Sequence, residues 1–152
     1  MRSNLAAFKI FRRSATAAIF SSRRGLEFID IKHLSNDPAK ATESLNRFVS
    51  WILESFRPEL SALGTDEEDP RPRTAMLTGV VESLLRDRGI PIWKVTDKEL
   101  LDSFATPVLT QKHELRQIAR SLLPQVGKEQ MLALDAALIG LYVQTERLLS
   151  DH

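Results

Sequence analysis

The feature that most constrains this chain is a change of hydrophobic period, repeated along its length. Residues 5–11, 15–21 and 26–31 are short runs rich in β-formers, separated by turn residues such as Arg23-Arg24-Gly25. The period then becomes helical. Leu45, Phe48, Val49, Ile52, Leu53 and Phe56 fall on one face of a helix that Asn36-Asp37-Pro38 can start and Pro58 stops. Leu60-Ser61-Ala62-Leu63 reads as a buried strand ending at Gly64. Thr74 is placed to cap a second helix, striped by Met76, Leu77, Val80, Val81, Leu84 and Leu85 and ended by Gly89. Residues 90–95 read as a strand, Asp97 opens a short helix to Phe104, a further helix carries Leu115, Ile118 and Leu122, and the last carries Met131, Leu134, Leu138, Leu141, Tyr142 and Leu148.

The resulting order is β-β-β-α-β-α-β-α-α. An opening meander must pair antiparallel, whereas strands separated by helices pair in parallel through right-handed crossovers. The expectation is an α/β domain over residues 1–152: a mixed five-stranded sheet, strand one central, with helices on both faces.

Composition excludes several chemistries. There is no cysteine, so disulfides, thiolate metal sites and thiol nucleophiles are absent. His33, His113 and His152 fall in no ligand spacing. No apolar run approaches membrane-spanning length, and a cytoplasmic protein without a membrane partner is expected. Charge is unevenly placed. Residues 1–26 hold Arg2, Lys9, Arg12, Arg13, Arg23 and Arg24 and no acid, leaving 15 of the 21 basic residues against all 20 acidic ones. Such a start also has the composition of a mitochondrial transit peptide, but its alternation fits strands. Arg12, Arg13, Arg23 and Arg24, with Lys112, Arg116 and Arg120 on one helix face, are the candidate contacts to a nucleic-acid backbone. Both groups also read as solvated surface. Glu27 and Asp30 are an odd number of residues apart on a strand, so they cannot act as a pair. Trp51 and Trp93 read as packing residues.

Three stretches resemble the RuvC-like Holliday-junction resolvases of the ribonuclease H-like superfamily. Residues 74–95 are a helix leading into a Gly89-Ile90-Pro91 strand, and residues 110–124 are similar to the family's lysine-led penultimate helix. The sharpest stretch is residues 131–141, where Asp135-Ala136 sits among apolar and small residues, as in the family's closing helix. The resemblance implies nucleic-acid cleavage with two divalent metals. Carboxylates for them would come from the first strand, the end of the fourth strand and the last helix.

The departures from that pattern matter more. Lys9 stands where the first-strand aspartate belongs, Gly64 where the fourth strand ends in glutamate, and Leu132 where a second helix acid is common. Of the implied ligands Asp135 alone remains, and one carboxylate cannot hold two dications. The expected protein is a catalytically degenerate member of the fold, with a structural or nucleic-acid- or protein-binding role and no cofactor. Nucleic-acid binding would be weak and salt-dependent, and a homodimer is compatible with this reading. In it Asp135 is a remnant whose buried charge needs a partner, for which Lys9 is the expected cation. The alternative is a magnesium-dependent nuclease with relocated ligands, Asp66 and Glu67 joining Asp135.

Overall fold

The computed structural model describes residues 4–21, 25–65, 71–104 and 133–150. Its strands are β1 (Asn4–Ile10), β2 (Ser14–Ser21), β3 (Gly25–His33), β4 (Leu60–Thr65) and β5 (Ile92–Thr96). Its helices are α1 (Pro38–Phe56), α2 (Pro72–Asp87), α3 (Asp97–Phe104) and α4 (Ala133–Ser150). The strands form one sheet in the order β3-β2-β1-β4-β5. The meander β1-β2-β3 is antiparallel, and β1, β4 and β5 run parallel. The expected mixed sheet with a central first strand is therefore the observed one. The expected helix through Leu115, Ile118 and Leu122 lies outside the described residues.

Two apolar layers follow from the strand period of two. Ala6, Phe8 and Ile10 of β1 pack with Ile19 of β2, Leu63 of β4 and the buried stripes of α1 and α2. Leu5 and Ala7 face the other way, with Phe20, Ala62 and Val95, against Leu100 of α3 and Ala136, Ile139 and Val143 of α4. Within the acid-free start, β2 is buried throughout and β1 nearly so. Among the described residues no helix is long and apolar enough to cross a membrane.

Local signals account for most element ends. Asp37 caps α1 by accepting a hydrogen bond from the Ala39 amide at 2.9 Å, with Pro38 next. Gly89, at φ +67°, takes the left-handed turn after α2, and the Ile90 amide reaches back to the Leu85 carbonyl at 3.0 Å. Several ends differ from expectation, among them those of β4 and α2. Strand β4 runs through Gly64 to Thr65, because Gly64 pairs with Val95 of β5. Helix α2 starts at Pro72, ahead of Thr74, since proline suits a first helical position. Helix α3 runs from Asp97 to Phe104 as expected, with Thr96 as its cap: the Thr96 hydroxyl accepts from the Glu99 amide at 3.1 Å while Glu99 accepts from the Thr96 amide at 3.3 Å, a reciprocal capping box. Trp51 differs too. It is 53% exposed, yet stays in a cluster with Phe28 and Phe56. Trp93 is half-buried against the α4 layer.

Edge strand β5 is tied to α2 by one acid. Glu82 accepts from Lys94 of β5 at 2.9 Å and from Arg86 one turn along α2. The Lys94 hydrogen bond holds the Glu82 carboxyl below the usual carboxylate range, partial burial opposes it, and the charges of Lys94 and Arg86 add to the lowering. A lowered folded-state pKa gives stability that is present above the unfolded-state pKa and lost as pH falls through the folded one. The melting-temperature gap between the native chain and Glu82→Gln should therefore be open at neutral pH and close in acid. A gap unchanged across that range would refute the pairing.

Candidate functional site

The parallel strands β1, β4 and β5 end together, and polar groups collect there on the α4 side of the sheet. Lys9 sits one residue before the end of β1 and, by alternation with Ala7, points toward α4. It is 5% exposed. Opposite it on β2, buried Thr16 donates its hydroxyl to the Lys9 carbonyl at 2.9 Å. On its other side, the pairing of Phe8 with Leu63 brings Gly64 alongside. The lysine stem crosses this glycine: a Cβ built on Gly64 would lie 2.6 Å from Lys9 Cδ and 2.6 Å from Ile139 Cδ1 of α4. Beyond Gly64 the ammonium reaches Asp97, the first residue of α3, with Nζ 3.5 Å from Oδ1. One side chain thus runs from the central strand, over β4, to the carboxyl end of β5.

Helix α4 completes the site. Gly140 lies against Phe20 and Ala7, and the Gln144 amide donates to the Ser21 carbonyl at 3.4 Å. Ser21 pairs with Asn4, so α4 runs antiparallel to β1 and its first turn overlies the carboxyl end of the parallel strands. Asp135 is in that turn, 8% exposed, four residues before Ile139 and on the same helix face. On the outer side of α3, the Tyr142 hydroxyl donates to Glu99 at 3.4 Å.

Lys9 and Asp135 therefore share one end of one sheet face, as the resemblance implies. The expected ion pair between them is not among the ion pairs of the described residues; the carboxylate within pairing distance of Lys9 is Asp97. The reason is reach. The Lys9 stem crosses Gly64 along the sheet toward β5, and its ammonium ends beside Asp97. Asp97 was legible only as a helix start; the signal for its second role is an acid directly after a strand that runs parallel to β1. Asp66, Glu67, Arg23, Arg24, Lys112, Arg116 and Arg120 lie outside the described residues. Arg12 and Arg13 are exposed in the β1–β2 turn, which Phe11 and Ser14 close. There the Arg73 guanidinium donates to the Arg12, Ser35 and Asn36 carbonyls and ties the turn to α2. Asp30 satisfies the Ile31 amide at 2.8 Å, a local role.

The donor set does not fit the divalent metals that the resemblance implies. A cation stands on the central strand, Gly64 offers no donor atom, and no group of three or more histidine or carboxylate side chains converges among the described residues.

No protein-family model and no curated protein sequence matches the chain. Solved structures do match its fold. The chain is similar to Thermus thermophilus RuvC, with a TM-score of 0.75 at 16% identity over 91% of each chain. The same protein in complex with a Holliday junction substrate gives 0.73 at 16% identity, over 91% of this chain and 90% of that one. The yeast mitochondrial Holliday junction resolvase Ydc2 gives 0.61 at 12% identity, over 91% of this chain and 77% of that one. Strand order, the helix layers and these likenesses agree: the chain has the ribonuclease H-like fold in its RuvC-like form.

Proposed function

We propose that this chain is a non-catalytic ribonuclease H-like domain whose role is structural or binding, with a nucleic-acid backbone as the partner it is best equipped to meet. The observation that carries the reading is Lys9, a buried ammonium on the central strand where a metal-dependent nuclease needs negative charge. Gly64 supports it, since a glycine next to that position adds no ligand and is filled over by the lysine stem.

The binding half rests on the rim beyond this site. Arg12 and Arg13 are exposed in the β1–β2 turn, Lys32 and His33 lie across from Ala15 and Ser14 at the adjoining end of β3, and Arg73 is anchored against the turn. One of the similar RuvC structures is a complex with a Holliday junction substrate. Cations on such a rim attract phosphates through counterion release, which lacks sequence preference and weakens as salt rises.

The test is incubation of the full chain with branched and single-stranded DNA and magnesium or manganese, with binding followed in parallel. The expected result is no cleavage, and weak binding that falls steeply between about 50 and 200 mM salt. Arg12→Ala with Arg13→Ala should reduce the log–log salt slope by about two, near one unit per lost phosphate contact. Metal-dependent cleavage abolished by Asp135→Asn, and likewise by Asp66→Asn or Glu67→Gln, would instead support the nuclease alternative with relocated ligands. Tight, salt-insensitive binding would contradict the rim assignment.

A further inference from the structure

Three observations meet at one side chain. The Lys9 side chain is 6% exposed, its ammonium is 3.5 Å from Asp97, and its stem fills the space that a side chain at Gly64 would need. The backbone at Gly64 is not in the left-handed region that favours glycine, so room, not conformation, calls for a glycine there. Asp135 in the first turn of α4 adds a second acid, this one buried, at the same end of the sheet.

We infer that Lys9 is the resident cation of this site: its ammonium takes the place of a divalent ion, with Gly64 as the residue that lets it lie there. The inference rests on the non-catalytic reading and gives that reading a physical cause. The ammonium supplies positive charge where a dication would sit, and an ammonium within a few ångströms repels a dication. The carboxyl end of the sheet is therefore held without metal, and the site admits a divalent cation only when the ammonium is removed.

The probe is manganese alone, with no nucleic acid present, so the result is independent of cleavage. Melting temperature and the electron paramagnetic resonance signal of free Mn²⁺ are followed as the full chain is titrated. The native chain should show no saturable rise in melting temperature, no uptake of ion, and no response to a chelator. Lys9→Asn and Lys9→Asp should each gain a saturable rise with uptake of one ion per chain, and adding Asp97→Asn should remove it. Saturable uptake by the native chain that Asp97→Asn or Asp135→Asn abolishes overturns the inference. So do folded Lys9 variants that take up no ion.

A second measurement decides the case should those variants fail to fold. Gly64→Ala forces a Cβ into the lysine stem and should lower the melting temperature. Lys9→Ala in the same chain should cost less than it does alone, because the residues share one space. Strict additivity of the two substitutions overturns the inference, while non-additivity of this sign supports it.

Discussion

Truncating Phe20 to alanine should destabilise the domain by about 3–5 kcal/mol, the range for deleting a buried aromatic ring. Phe20 is 1% exposed on β2 and faces α4. The helix backbone comes down onto the ring at Gly140, where a Cβ would lie 2.4 Å from Phe20 Cε2 and 3.2 Å from the Ala7 Cβ. A small residue on the helix and small residues on β1 let α4 seat closely, and the phenyl ring fills the remaining gap. With the ring gone, neither Gly140 nor Ala7 has atoms to extend into the space, so the cavity stays. At roughly 2–4 °C per kcal/mol for a chain of this size, the melting temperature should fall by about 10 °C. A loss below about 1 kcal/mol would mean that α4 does not rest on this ring.

That seat matters for function because it sets where the first turn of α4, and Asp135 with it, meets the sheet. Much of this was open to a reading of the residues. Periods of two and 3.6, punctuated by Asp37-Pro38, Pro58 and Gly89, specify the elements, and chain order then dictates parallel or antiparallel pairing. Residue 9 was legible for the same reason: a lone charge inside the apolar run from Leu5 to Ile10 must face a partner. Which partner it faces was not legible. The choice between Asp135 and Asp97 depends on the direction a flexible four-carbon stem takes, and Gly64, 55 residues away in sequence, sets that direction. Gly64 itself looked like a strand end, since glycine is disfavoured in strands; only the approach of Lys9 and Ile139 explains why β4 tolerates it. The Thr96–Glu99 capping box was visible as Thr-x-x-Glu, but Asp97, also a good capping residue, competed for the same role.

The two halves of the Lys9–Asp97 pair should differ in what their loss costs. The Lys9 side chain is 6% exposed and the Asp97 side chain 29%. Removing one member of a buried pair is costly mainly because the other charge is stranded away from water, about 3–5 kcal/mol when it is fully buried. Lys9→Met keeps a stem of similar length over Gly64 and leaves a carboxylate that water can reach, so its cost should stay within about 1 kcal/mol. Asp97→Asn strands the ammonium instead. Lys9 cannot reach solvent without leaving its place over Gly64, so about 2–3 kcal/mol should be lost, short of the full buried value because the Asp97 side of the pair is 29% exposed. Chemical denaturation of the two variants beside the native chain gives the comparison directly. If Lys9→Met proves the more costly, the ammonium is solvated or paired elsewhere, and the crossing of Gly64 is not what holds it. If Asp97→Asn is the more costly, the buried partner is the cation, as a side chain standing in for a metal requires.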